Sequence, residues 1–211
     1  DYNQMRNKQT IVFFDVDTQN DFINPDGALY VPDAEKLKGK FRQLIEYARS
    51  NSIPVWGSVD AHLPDDAELI RNNGPFPDHC MLGENGQKKV NETKPLNPKW
   101  VPNRTHSDTE INKILIHKGE VYFQKQSFNV FDNPAIKKCI KGFNVIIIFG
   151  VATDYCISAA VKGFLKLNKK VFLVTDAIKP VNINPDDGKK ALEEMQKCGV
   201  HFTTTEKIIH S

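Results

Sequence analysis

The chain has no apolar run near the roughly 20 residues that a membrane-spanning helix needs, which argues against a membrane partner. Neither sign of charge dominates, with 28 Lys and Arg against 26 Asp and Glu and a net charge of +2 over 211 residues. That balance offers no polybasic face to nucleic acid or to anionic lipid. Only four cysteines occur (Cys80, Cys139, Cys156 and Cys198), and no paired spacing links them. Reduced thiols in a cytoplasmic protein are therefore expected, not a disulfide framework. The polar start Asp1-Tyr-Asn-Gln-Met-Arg-Asn-Lys8 is no secretory leader, and residues 1–9 are expected to be flexible. No internal repeat is present, and no Gly-x-Gly-x-x-Gly follows the first apolar run, which excludes the dinucleotide-binding fingerprint. A chain of this length buries roughly 70% of its unfolded surface. One domain over residues 1–211 and a small-molecule substrate are expected, with a homo-oligomer left open by composition.

What is present centres on Asn144–Ile157. Asn144-Val-Ile-Ile-Ile-Phe-Gly150 reads as a strand buried on both faces, and Ser158-Ala-Ala-Val-Lys-Gly-Phe-Leu165 continues with helical spacing. Val151-Ala-Thr-Asp-Tyr-Cys156 lies between them, which puts Cys156 in the first turn of a helix at the carboxyl end of a central strand. Unpaired N–H groups and the helix dipole there favour a thiolate and stabilise an oxyanion. A lone cysteine most often simply packs, so the case depends on what converges with it. Thr10-Ile-Val-Phe-Phe-Asp15-Val-Asp17 is a second buried strand, with Asp15 and Asp17 on one face and Phe14 and Val16 on the other. Val121-Tyr-Phe-Gln-Lys125 is a third, ending in a lysine. An Asp, a Lys and a Cys at three strand ends would meet at one edge of a parallel sheet. A cysteine nucleophile needs such a proton acceptor and neighbouring positive charge.

Along the chain, strands are expected at 11–17, 53–59, 120–125, 144–149, 171–175 and 200–203. Helices are expected at 33–50, 133–141, 154–167 and 186–198, with a short one near 107–116. Leu37, Phe41, Leu44, Ile45 and Ala48 recur at helical spacing, with Asp33 where an N-cap belongs. This alternation implies a three-layer α/β/α domain, doubly wound around a mainly parallel sheet of about six strands. The segment 60–106 breaks the pattern. It is rich in Pro, Asn and Gly, and an aperiodic loop of that length in a compact domain is usually either functional or disordered. It holds Asp60-Ala-His62, whose alternate side chains point one way, and His79 in the turn-rich Phe76-Pro-Asp-His-Cys80. Asp60, His62, His79 and solvent suit one divalent cation (Zn²⁺, Mn²⁺ or Fe²⁺, zinc first). Cys80 reads as packing.

Together these segments resemble the isochorismatase-like cysteine hydrolases, and within them the nicotinamidase branch. The resemblance runs from about Ile11 to the last strand. It rests on five motifs in the family's order: Asp17-Thr-Gln-Asn-Asp-Phe22, Asp60-Ala-His62, Pro77-Asp-His-Cys80, Lys125 and Gly150-Val-Ala-Thr-Asp-Tyr-Cys156. It implies Cys156 as nucleophile, Asp17 as proton acceptor, Lys125 as their charge partner, and the N–H groups of Ala152 and Cys156 as the oxyanion hole. The Val151–Ala152 peptide bond is then expected to be cis. A further metal ligand lies between the two metal motifs in the family. Glu68 is the closer match by local pattern, and Asp66 stays open because Asn72-Asn-Gly-Pro-Phe76 is inserted here. Phe22, Phe76 and Tyr155 match positions that wall a flat ring, and Phe128 is a further candidate outside that match. The implied activity is hydrolysis of nicotinamide, or a similar small amide, to an acid and ammonia through a thioester, as in pyridine-nucleotide salvage. The metal would orient the ring through its nitrogen.

Two rival readings exist. Phe13-Phe-Asp15-Val-Asp17-Thr18 also resembles the first motif of haloacid-dehalogenase-type phosphatases, but Thr175-Asp176 is a poor partner motif and Cys156, Asp60 and His62 would be left without roles. A member of the same fold that hydrolyses another amide, ureide or carbamate, or that only binds a small aromatic acid, is the closer rival.

Overall fold

The structure, a computed structural model, describes residues 10–211, so the flexible start expected over residues 1–9 lies outside the described residues. Its centre is β1 (Ile11–Val16), every residue of which is buried. β1 is flanked by β2 (Val55–Asp60) on one side and β5 (Val145–Val151) on the other. Beyond β2 lie β4 (Val121–Lys125) and β3 (Lys99–Val101); beyond β5 lie β6 (Lys170–Lys179) and β7 (His201–Thr203). The order β3-β4-β2-β1-β5-β6-β7 is parallel at every pairing. The sheet thus has seven strands where about six were expected. The additional one, β3, is three residues long at the sheet edge, too short to show a period.

Helices cover both faces, because alternate residues of each strand supply two separate cores. Val12, Phe14 and Val16 of β1 pack with α3 (Asp108–Leu115), α4 (Ala135–Cys139), α5 (Ser158–Lys166) and α6 (Asp187–Lys197). Ile11 and Phe13 pack on the opposite face with the short α1 (Asn20–Ile23), α2 (Lys38–Ser50) and the C-terminal α7 (Thr205–Ile209). α2 buries Phe41, Leu44, Ile45 and Ala48, the stripe that its spacing foretells. Its start differs. Residues Ala34–Leu37 form a 3₁₀ turn, and Asp33 has φ 63° with no capping bond, pairing instead with Lys36 at 2.8 Å. α3 begins on a capping box: Glu110 N–H donates to Ser107 Oγ at 3.2 Å, and Ser107 N–H donates to Glu110 Oε2 at 2.8 Å. Among the described residues, no helix is long and apolar enough to cross a membrane.

Two local features shape the sheet edge where the expected site residues lie. Gly150 has φ +122°, and a Cβ there would fall on the Val16 carbonyl oxygen, so only glycine fits. The β5–β6 register shifts at that point, between Ile148 and Gly150, with the extra residues on the β6 side. That loop opens on a cis Val151–Ala152 bond, as expected. It then winds as a π turn over Thr153–Ile157 before α5 begins. The helix start expected at 154 is therefore a wider turn, of a kind often found at functional sites.

Candidate active site and metal centre

β1, β2, β4 and β5 deliver Asp17, Asp60, Lys125 and Cys156 to one edge, where the chain leads away from β1 in opposite directions. Lys125 is fully buried and makes four contacts there. Its Nζ is 2.7 Å from Asp17 Oδ2 and 3.5 Å from Cys156 Sγ, and it donates to the Ser127 carbonyl at 3.0 Å and to Asp60 Oδ1. Burial alone would lower its pKa, but Asp17, Asp60 and Cys156 outweigh it and hold the ammonium form far into alkali. The Cys156 thiol is pushed well above its ordinary range, first by burial and then by Asp17 and Asp60 against the opposing pull of Lys125. That shift runs against the thiolate that a helix start would favour. Asp17 takes its second bond from Ser58 Oγ, at 2.7 Å to Oδ1.

The other oxygen of Asp60 faces two imidazoles, with His62 Nε2 at 3.4 Å and His79 Nε2 at 3.5 Å. Glu68 Oε2 lies 3.6 Å from His62 Nε2. Ligand atoms of Asp60, His62, Glu68 and His79 all fall within 4.8 Å of one another. The hydrogen bonds on the far side of each ring decide what they can do. His62 Nδ1 is 2.9 Å from Asp66 Oδ2, and His79 Nδ1 is 2.7 Å from the Pro77 carbonyl. Both Nδ1 atoms face only acceptors, so they carry the protons, and both Nε2 atoms point lone pairs inward. His62 Nε2 is buried without a hydrogen-bond partner. Two lone pairs facing two carboxylates form a donor set that a divalent cation satisfies and a proton network does not. The charges agree. Asp17 and Asp60 share the one ammonium of Lys125, and Glu68 faces His62. Burial and the Asp60 charge push the Glu68 carboxyl up. Between the two candidates left open, Glu68 is in the ligand group and Asp66 stands behind His62.

One cavity joins the two centres. It is lined by Asp60, Glu68, His79 and Cys156, with Ala152 and the four expected aromatics Phe22, Phe76, Phe128 and Tyr155. Phe22 and Phe76 flank His79, with ring centroids 5.7 and 5.9 Å from its own, and Phe128 packs edge-on to Tyr155. Leu29, Tyr30, Val31, Val151, Val181 and Ile183 complete the wall, and no Lys or Arg is among the lining residues. Sequence reasoning missed Leu29, Tyr30, Val31, Val181 and Ile183, which come from loops with no period, whereas Val151 ends β5.

It also missed how the first motif works as a clamp. Gln19 is buried, and its side chain grips the Asp60 backbone from both sides. Its Nε2 donates to the Asp60 carbonyl at 2.8 Å, and its Oε1 accepts from the Asp60 N–H at 2.8 Å. Asp21 Oδ2 accepts from the Cys80 N–H at 2.8 Å, which fixes the residue after His79. The polar residues following β1 are the signal that could have revealed both. Cys80 itself is buried in the core, as read. Asp15 does not reach the cavity. It is closed in an ion pair with Lys89 at 3.0 Å, which removes the phosphatase nucleophile from reach.

Comparison with known proteins agrees with this architecture. The Isochorismatase domain matches residues 11–207. The nicotinamidase of Escherichia coli (strain K12) is 28% identical, an alignment that covers 90% of this chain and 92% of that protein. Among solved structures, the pyrazinamidase of Pyrococcus horikoshii in complex with zinc superposes with a TM-score of 0.73 at 24% identity, over 92% of this chain and 99% of that one. The N-carbamoylsarcosine amidase of Thermoplasma acidophilum reaches 0.69 at 24% identity, over 93% and 97%. At those identities the superpositions speak for the fold.

Proposed function

The protein belongs to the isochorismatase family, and we propose that it is a metal-dependent cysteine amidohydrolase that converts nicotinamide to nicotinic acid and ammonia. The observation that carries this reading is the shared cavity, in which Cys156 and the cluster of Asp60, Glu68 and His79 face one apolar, ring-sized space. The absence of Lys and Arg from its lining favours a neutral ring amide over a substrate bearing a carboxylate.

Asp17 accepts the Cys156 proton as the sulfur attacks the carboxamide carbon, and Lys125, 3.5 Å from Sγ, stabilises the developing thiolate. The N–H groups of Ala152 and Cys156 receive the oxyanion of the tetrahedral intermediate. Asp17 returns the proton to the leaving nitrogen, the C–N bond breaks, and ammonia departs from an acyl thioester on Cys156. Asp17 next takes a proton from water, the resulting hydroxide attacks the thioester carbon, and the C–S bond breaks to give the acid and a sulfur that regains its proton. Asp60, His62, His79 and Glu68 would hold a divalent cation, zinc first, which when bound fixes the ring nitrogen and so turns binding into orientation. Phe22, Phe76, Tyr155 and Phe128 sandwich the ring.

The experiment is ammonia release from purified, metal-replete protein given nicotinamide, pyrazinamide, and linear ureides and carbamates in parallel. Turnover of the two ring amides supports the proposal. Turnover confined to a ureide or carbamate would replace it with the rival chemistry of the same fold.

A further inference from the structure

Asp15 has no part in the reaction above, yet it is among the most buried charges in the protein. Its side chain and that of Lys89 are both sealed from solvent, with Nζ 3.0 Å from Oδ2. Burial pushes the Asp15 carboxyl up and Lys89 opposes it. A buried ion pair recovers its desolvation cost only when its remaining donors and acceptors are also used. Here they are used in a particular direction. Thr18 Oγ1 donates to Asp15 Oδ1 at 2.7 Å, and Lys89 Nζ donates to Thr18 Oγ1 at 3.4 Å and to the Ser58 carbonyl at 3.3 Å.

Ser58 also holds Asp17 by hydrogen bonds, and Thr18 adjoins it in the chain. Ser58 Oγ donates to Asp17 Oδ1 at 2.7 Å, and the Asp17 N–H donates to the Ser58 carbonyl at 3.1 Å. Thr18 follows Asp17 directly, and Asp17 has φ 52°, a left-handed backbone that an aspartate keeps only with support from its surroundings. Lys89 arrives from the segment that carries His79. Its neighbours bind the chain just past β1, with Asn20 N–H donating to the Lys88 carbonyl at 2.8 Å and Val90 N–H to the Thr18 carbonyl at 2.9 Å. Neither Asp15 nor Lys89 lines the cavity.

We infer that Asp15 and Lys89 are a positioning pair that, through Thr18 and Ser58, fixes the Asp17 carboxylate against Cys156 and Lys125. The inference rests on the reading of Asp17 as proton acceptor. A pair outside the cavity that only aims the base alters the chemical step and leaves substrate binding alone, so kcat and KM separate.

The test compares wild type, the double variant Lys89→Met with Asp15→Leu, and Asp17→Asn in the same ammonia-release assay. Replacing both charges together leaves no orphaned ion, which is the condition for the fold to be kept. Thermal unfolding and bound-metal analysis establish that. The expected result is a folded, metal-loaded double variant whose kcat falls at least tenfold while KM moves less than twofold, beside an inactive Asp17→Asn. Displacements of an ångström cost about 100-fold in such geometry. Should the double variant not fold, Asp15→Asn with Lys89→Gln, which removes both charges and keeps polar groups at both positions, decides on the same criterion. Wild-type kcat in the folded variant, or a change in KM alone, overturns the proposal. Full activity in Asp17→Asn, where the pair is intact, would sink the base assignment and the inference with it.

Discussion

Asp60 and Lys125 stand opposite each other in the β2–β4 register, and their side chains close on one another across it, Lys125 Nζ donating to Asp60 Oδ1. Because Oδ2 of the same carboxylate faces His62 and His79, one residue belongs both to the group around Cys156 and to the metal cluster. Burial works against the Asp60 carboxylate, and Lys125 holds it below the usual carboxylate range all the same. Asp60 thus offers one carboxylate oxygen to each side.

If Cys156 is the nucleophile, Cys156→Ala should lower ammonia release from nicotinamide by at least about a thousandfold and leave bound metal unchanged. Cys198→Ala, exposed and remote from the cavity, should be indistinguishable from wild type. Retained activity in the Cys156 variant would point to a water nucleophile instead.

Metal affinity should depend on residues behind the ligands as well as on the ligands. Asp66 holds the His62 tautomer, so Asp66→Ala should weaken binding about 10–100-fold, read by competition against a chelator. Asp60→Asn should weaken it more. The wild-type protein should carry one metal per chain at about 2.0–2.2 Å from its ligands. Equal affinity in wild type and Asp66→Ala would show that the carboxylate does not orient the ring.

Ring nitrogen should matter more than ring shape. Pyrazinamide keeps a nitrogen where nicotinamide has one and should turn over, while benzamide, of equal outline, should have a much lower kcat/KM. Comparable values for benzamide and nicotinamide would mean that the metal cluster does not read the ring.

Stability should decline in alkali through the buried thiols. Burial raises the Cys139 thiol from an ordinary 9.0 to about 11. Above pH 9 the unfolded chain therefore releases a proton that the folded protein keeps, and unfolding free energy falls as pH rises toward 11. Urea denaturation at pH 8 and pH 10.5 should show a smaller difference between the two pH values for Cys139→Val than for wild type. An unchanged difference would remove Cys139 as a contributor.

The legible part of this protein was the local part. Val145–Val151 announced a fully buried strand and Phe41, Leu44, Ile45 and Ala48 a helix stripe, because side-chain direction repeats with the backbone period. The motif spacing likewise pointed to Asp17, Lys125, Cys156, Asp60 and His62, since each follows or ends a strand. β3 escaped notice because three residues carry no period, and Asp33 misled because a capping residue type does not guarantee capping geometry.

What the sequence determined, then, was the alternation of strands and helices and the residue types at their carboxyl ends, properties fixed within a few residues of chain. The tertiary structure alone decided that Glu68 joins the ligand group while Asp66 stands behind His62, and that Asp15 turns inward to Lys89. It also decided that Gln19 and Asp21 hold the metal-site loop in place. These outcomes depend on which atoms lie within about 3 Å after chain segments tens of residues apart have packed, and spacing along a sequence carries no record of that distance.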